Sequence, residues 1–292
     1  MSLDVCDLSI ADNQASFQWT LVKKRRGFKN EQSSDLKKLT LLANLYSNRL
    51  SQNEKSSLPL LVYYPVERVV LDIPLKIKNQ NSFDQLDGYD NALTQMVDFR
   101  RFFEWFRECE DAENESSRGA MRHILESLQN NPQDVQLKKK LLQFPYNKPL
   151  TAVRNAIATF MPGFSTLRVQ REPRLQMMVE KHGKTLDVAQ LSQGEKSLMA
   201  LVGDIARRLA TLNPGLENPL HGDGIVLIDE IDLHLHPQWQ RGIIQRLRDT
   251  FPNCQFLLAT HSPLVISDAK NVRGYALDNG QLTQLKDLYG LD

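Results

Sequence analysis

The chain has 292 residues, 41% hydrophobic and 24% charged, with 36 Lys and Arg against 35 Asp and Glu for a net charge of +1. This describes a globule with room for one elaborate domain or two intimate ones, and it gives no global attraction to nucleic acid. No apolar run reaches the roughly 20 residues of a membrane span and no signal-like segment opens the chain, which excludes a membrane protein and makes the cytoplasm the expected compartment.

Residues 1–14 are short on periodicity and are expected to be mobile. Phe17, Trp19 and Leu21 alternate with polar residues as in an edge strand, and Lys23-Lys24-Arg25-Arg26-Gly27 reads as a solvated hairpin turn. Ser33 or Ser34 is the expected cap of a helix carrying Leu36, Leu39, Leu42, Ala43, Tyr46 and Leu50. Leu58 to Tyr64 is a buried strand that ends at Pro65. Arg68 follows it, either as a phosphate or partner contact or as a structural ion-pair residue.

From Asp98 the pattern turns helical. Phe99, Phe102, Phe103 and Phe106 lie on one face, and Glu104, Arg107, Glu108, Glu110, Asp111, Glu113 and Glu115 load the other. The aromatic stripe either anchors a helical lobe on a sheet or docks a partner. Further helices are expected over 118–128, 132–143 and 149–161, and strands over 166–170, 175–180 and 185–188. Gly183-Lys184-Thr185 imitates the end of a phosphate-binding G-x-x-x-x-G-K-[ST] loop. Met178 stands where its first glycine must be, so this is a hairpin tip. The cysteines Cys6, Cys109 and Cys254 show no ligand spacing and read as incidental thiols.

Ser192 and Glu195 stand in the S-x-x-E relation of a capping box before the apolar run Leu198, Leu201, Val202, Ile205 and Leu209. Gly194 between them leaves backbone N–H groups open to a ligand, and a helix N-terminus of this kind suits an anion. Ile225 to Ile228 is a short β-branched run, read as a buried parallel strand that ends in Asp229 and Glu230. Gln255 to Ala259 is a second such strand, ending in Thr260-His261-Ser262, and a helix from Pro237 to about Thr250 fits between them. Two parallel strands then deliver Asp229, Glu230 and His261 to one sheet edge, where α/β folds bind ligands. Asn279-Gly280 closes a final hairpin of 273–277 with 281–285.

In this order, Leu191-Ser192-Gln193-Gly194-Glu195 resembles the signature motif of ABC-type ATPase heads of the AAA family. Ile225 to Glu230 resembles their Walker B, Asp232 their D-loop acid and His261 their switch histidine. Asp232-Leu233-His234-Leu235-His236-Pro237 is similar to the RecF/SMC-like branch. Val62-Tyr63-Tyr64-Pro65 with Arg68, Asp72-Ile73-Pro74-Leu75, Phe99 to Phe106, and Glu110, Asp111, Glu113, Asn114 and Glu115 resemble the PtuA-like ATPases of retron and Septu anti-phage systems.

The resemblance implies an α/β P-loop NTPase head: a largely parallel sheet flanked by helices, with a helical lobe inserted. It divides the chain into 1–80, the first part of the head; 81–164, the lobe; and 165–292, which carries the motifs. It further implies that two heads sandwich ATP. The nucleotide-binding residues would be Ser192, Gln193 and Gly194, acting in trans on the γ-phosphate, and Asp232, coupling the two sites. Asp229 would hold Mg²⁺ through water, Glu230 would orient the attacking water, and His261 would contact the γ-phosphate.

The expected assembly is a homodimer or higher oligomer, with a nuclease or effector partner and nucleic acid left open. The sequence departs from the pattern in having no Walker A loop and no identifiable glutamine after the strand ending at Tyr64. The expectation is therefore a fragment, or a relative that has lost its first segment, and weak nucleotide binding by this chain alone. A RecF/SMC-like DNA-repair ATPase and a non-hydrolysing scaffold for a nuclease or toxin remain the alternatives.

Overall fold

The structure, a computed structural model, describes residues 4–12, 15–23, 34–66, 84–93, 99–130, 147–267 and 270–285. The chain divides into two compact units, Met1–Ser56 and Ser57–Asp292.

In the first unit, β1 (Asp4–Asp12) and β2 (Ala15–Lys23) form an antiparallel hairpin, with Asp12 opposite Ala15. Residues 4–12, expected to be mobile, are therefore a strand. This hairpin closes ahead of Phe17; the turn expected at Lys23–Gly27 lies, beyond Lys23, outside the described residues. Phe17 and Trp19 on one face of β2 pack with Leu42, Leu45 and Tyr46 of α1 (Lys37–Gln52). Of the two expected serine caps, Ser33 lies outside the described residues and Ser34 is not at the cap position. Leu36 occupies the cap position without a side-chain bond, and the Lys37 amide donates to Asp35 Oδ1 at 3.1 Å.

The second unit is built on a parallel sheet in the order β3 (Leu60–Tyr64), β7 (Gly224–Ile228), β8 (Cys254–Leu258), with Tyr64, Ile228 and Leu258 in register. β7 is the central strand because it is apolar on both faces. Between β3 and β4 (Phe164–Gln170), α2 (Phe99–Asn130) and α3 (Lys148–Phe160) pack on α4 (Gln193–Leu212). α4 is buried around nearly its whole circumference, with the charged Glu195, Asp204, Arg207 and Arg208 among its buried residues.

The aromatic stripe takes the anchoring role. Phe102, Phe103 and Phe106 are fully buried, and Trp105 nearly so, each ring contributing about 1.5–3 kcal/mol. Beyond Asp111 the described side chains of α2 are mostly exposed. The expected break before Arg118 does not occur. No proline interrupts 99–130, and Ser116, Ser117 and Gly119 cost a helix only about 1 kcal/mol or less each. The helix expected over 132–143 and Arg68 lie outside the described residues.

β4 (Phe164–Gln170), β5 (Gln176–Lys181) and β6 (Lys184–Asp187) form an antiparallel meander, with His182-Gly183 at the β5–β6 tip as expected. Glu110 and Glu113 of α2 bind Arg154 of α3 at 2.9 and 2.8 Å, and Glu110 also accepts the Val169 amide at 3.0 Å, joining lobe to meander. The single helix expected from Pro237 is two, α5 (Pro237–Gln240) and α6 (Ile243–Thr250), because Gly242 between them takes φ +65°. α7 (Pro263–Ser267) follows β8, and β9 (Gly274–Asp278) pairs with β10 (Gln281–Leu285) around Asn279-Gly280.

Candidate functional site

The sheet's hydrogen-bond ladder runs on past its strands and sets the site. The Asp229 amide donates to the Tyr64 carbonyl at 2.8 Å, Ala259 N to Ile228 O at 2.9 Å, and Ile231 N to Ala259 O at 3.0 Å. Asp229, Glu230 and His261 therefore leave the sheet at one edge, as the strand pattern predicted. Glu230 takes φ +42°, a left-handed conformation that costs a non-glycine residue roughly 1–2 kcal/mol, and this turns the chain sharply out of β7. The turn leaves Glu230 Oε1 4.0 Å from His261 Nε2, with a third of the Glu230 side chain exposed and 90% of the His261 side chain exposed. That separation is too long for a hydrogen bond, so both groups face solvent across a narrow gap.

A chain of side chains fixes the His261 loop. Thr260 Oγ1 donates to Asp232 Oδ1 and accepts from Ser262 N, and Ser262 Oγ donates to Gln240 Oε1 at 2.7 Å. Gln240 Nε2 returns to the Leu235 carbonyl at 2.9 Å. Asp232 is thereby tied to the histidine loop of its own chain. Thr260, Ser262 and Gln240 escaped the sequence reading as positioning groups, because each becomes informative only when its distant partner is known.

The α4 tip forms the capping box the spacing predicted. Ser192 Oγ accepts from Glu195 N at 3.3 Å, and Glu195 Oε2 accepts from Ser192 N at 3.2 Å. Lys181 Nζ adds a bond to Glu195 Oε1 at 2.7 Å. Partial burial opposes the Glu195 anion, but Lys181 and the Ser192 groups outweigh it and hold the carboxyl below its usual range. Ser192 and Gln193 are exposed, and helical geometry leaves the Gln193 and Gly194 amides outside the intrahelical ladder. Gly194 itself is buried. A Cβ there would lie 2.6 Å from the His234 carbonyl oxygen, so only glycine lets the loop that follows Glu230 pack this closely on the α4 tip.

The donor set is oxygen-rich. Among the described residues no group of three or more His, Cys, Asp and Glu side chains closes on a metal ion by itself. A single strand-end carboxylate completed by water and phosphate oxygens is a binding mode of Mg²⁺ rather than of Zn²⁺, and Asp229 fits it.

Residues 74–267, which contain this edge and the α4 tip, match the family model described as "AAA domain, putative AbiEii toxin, Type IV TA system". The chain belongs to this AAA-domain family. The AAA chain is 41% identical over 287 residues to the retron Vc95 probable ATPase of Vibrio cholerae serotype O1 biovar El Tor, covering 90% of this chain and 55% of that protein. It is 45% identical over 74 residues to the Septu protein PtuA of Bacillus mycoides (strain KBAB4), covering 25% of this chain and 10% of that protein. The likeness to retron and Septu ATPases drawn from the motifs thus holds, and the chain spans about half the length of the curated retron relatives it matches. An SMC head domain with an extended coiled coil from Pyrococcus furiosus is similar at TM-score 0.39 and 15% identity, over 93% of this chain and 69% of that one. Among the described residues no helix is long and apolar enough to cross a membrane.

Proposed function

We propose that this AAA domain is the ATP-hydrolysing head of a cytoplasmic anti-phage defence complex and works as a dimer or higher oligomer. The observation that carries the reading is the meeting of Glu230 and His261 at 4.0 Å beside Asp229, at the ends of adjacent parallel strands. The names of the retron and Septu relatives support the defence role.

Each residue then has a task that follows from its position. Glu230, partly solvated and held in a left-handed turn, accepts a proton from the attacking water and orients it. His261, on an exposed loop pinned through Thr260 and Ser262, donates to the γ-phosphate. Asp229 holds Mg²⁺ through water; when bound, the ion neutralises phosphate charge. Ser192 and Gln193, with the Gly194 amide at the α4 tip, bind the γ-phosphate held by the other head. Asp232, bonded to Thr260, reports the state of one site to the other. In this scheme residues 1–80 and 165–292 make up the head, and 81–164 an inserted helical lobe.

Glu230→Gln, made in a version of the protein that also carries a Walker A loop, tests the assignment. Hydrolysis should fall about 10²–10⁴-fold, the usual worth of a general base, while ATP binding and ATP-dependent association persist. Turnover that survived the substitution would remove Glu230 from the chemistry. Hydrolysis stimulated by DNA with a steep salt dependence would instead indicate a DNA-repair head.

A further inference from the structure

Tyr64 is the last residue of β3, is almost completely buried, and bonds in two directions. Its carbonyl accepts the Asp229 amide at 2.8 Å. Its hydroxyl donates to Asp204 Oδ2 on α4 at 2.9 Å. Three further donors fill the same carboxylate: Arg207 Nε and Nη2 at 3.1 and 2.7 Å, and Arg208 Nε at 2.7 Å. Arg208 Nη1 continues to the carbonyls of Gly88 and Asp90 at 2.8 and 3.0 Å.

The cluster is buried throughout and carries two guanidinium groups against one carboxylate, with Arg207 Nη1 lacking a hydrogen-bond partner. As glue it is a poor choice, since apolar side chains of similar volume stabilise a core as well or better. What it supplies is direction: four hydrogen bonds converge on one carboxylate and leave Tyr64 a single orientation. Burial, reinforced by the Asp204 charge, pushes the Tyr64 phenol up, so it remains a donor. Asp204 also lies twelve residues along α4 from Ser192, about 18 Å at 1.5 Å per residue, and the helix between is buried and unbroken.

We propose that Tyr64 is a positioning residue for Asp229, and that Asp204, Arg207 and Arg208 lock it to α4 so that the strand end and the Ser192–Gly194 tip move as one body. The consequence for magnesium rests on the role proposed for Asp229; the positioning itself does not.

Tyr64→Phe removes one oxygen and keeps the ring, and Ile157→Val on α3 serves as a control that loosens the core elsewhere. Hydrogen exchange on the full chain should show the Asp229 amide exchanging about fivefold faster relative to Val226 and Ile228 in Tyr64→Phe, the worth of a typical hydrogen bond. The control should leave that ratio unchanged. The Mg²⁺ concentration for half-maximal ATP hydrolysis should rise by a similar factor in Tyr64→Phe alone. Exchange at Asp229 that keeps its ratio to its neighbours overturns the proposal, and faster exchange with an unaltered Mg²⁺ requirement overturns its link to the metal. Hydrolysis is read in a version of the protein that also carries a Walker A loop; should that version hydrolyse no ATP while the exchange ratio shifts as expected, the positioning stands and the ATPase reading falls.

Discussion

Gly194→Ala should destabilise the protein even though alanine is the better helix former. The added methyl would sit 2.6 Å from the His234 carbonyl oxygen, whereas ordinary van der Waals contact begins at 3.4 Å, so the loop would have to retreat by about 0.8 Å. It has little freedom to do so. His234 already holds φ +62°, and the bonds Leu233 N to Glu230 O and Leu235 N to Asp232 O, both 3.0 Å, clamp it on either side. Overpacking of this kind costs about 1–3 kcal/mol, and the helix-propensity gain over glycine returns about 0.5–1 kcal/mol. Because the obstacle is backbone rather than a flexible side chain, the upper part of that cost applies, and the net loss is on the order of 1–2.5 kcal/mol, a fall in midpoint of roughly 2–10 °C for a chain of this size. Thermal unfolding of the purified variant beside wild type measures it. A midpoint equal to or above wild type would mean that the α4 tip and the loop after Glu230 are not packed as described.

The remaining expectations concern the buried charge cluster and the histidine loop. Burial opposes the Asp204 anion, but Arg208 and Arg207 overcome it and hold its carboxyl far below the usual range. A folded value depressed below the unfolded one gives stability that is complete above about pH 4 and is lost as acid protonates the group. Asp204→Asn should accordingly lower stability at pH 7 by about 3–5 kcal/mol, the cost of stranding a buried charge, and flatten the decline of denaturation midpoints below pH 4. An unchanged acid limb would refute the assignment. Thr260→Val removes the hydroxyl shared by Asp232 and the Ser262 amide and should cost about 1–3 kcal/mol, with Thr260→Ser retaining most of it; equal midpoints for the two variants would argue against that bond.

Several features could be read from short stretches because their causes lie within a few residues. The Ser192–Glu195 box joins groups three positions apart, the hairpin at Asn279-Gly280 follows from two turn residues, and the runs ahead of Asp229 and His261 are mostly apolar. Each is a local preference that tertiary packing did not reverse, except that β8, expected to be buried, has no buried side chain and exposes Leu257. Short-range cues also misled. Residues 4–12 needed β2 as a partner to show themselves as a strand, and α2 ran through serines and a glycine that only lower propensity. Gly242 split a helix whose periodicity alone looked continuous.

What only the folded chain decided is how distant groups hold the site. Tyr64 meets Asp204 across 140 positions, Thr260 meets Asp232 across 28, and the Gly194 space belongs to the His234 carbonyl. A side chain's bonding capacity is written in its chemistry, but its partner is chosen by the packing of strands and helices. The kinds of residue at the sheet edge and helix tip were therefore legible from the sequence, and their mutual geometry was not.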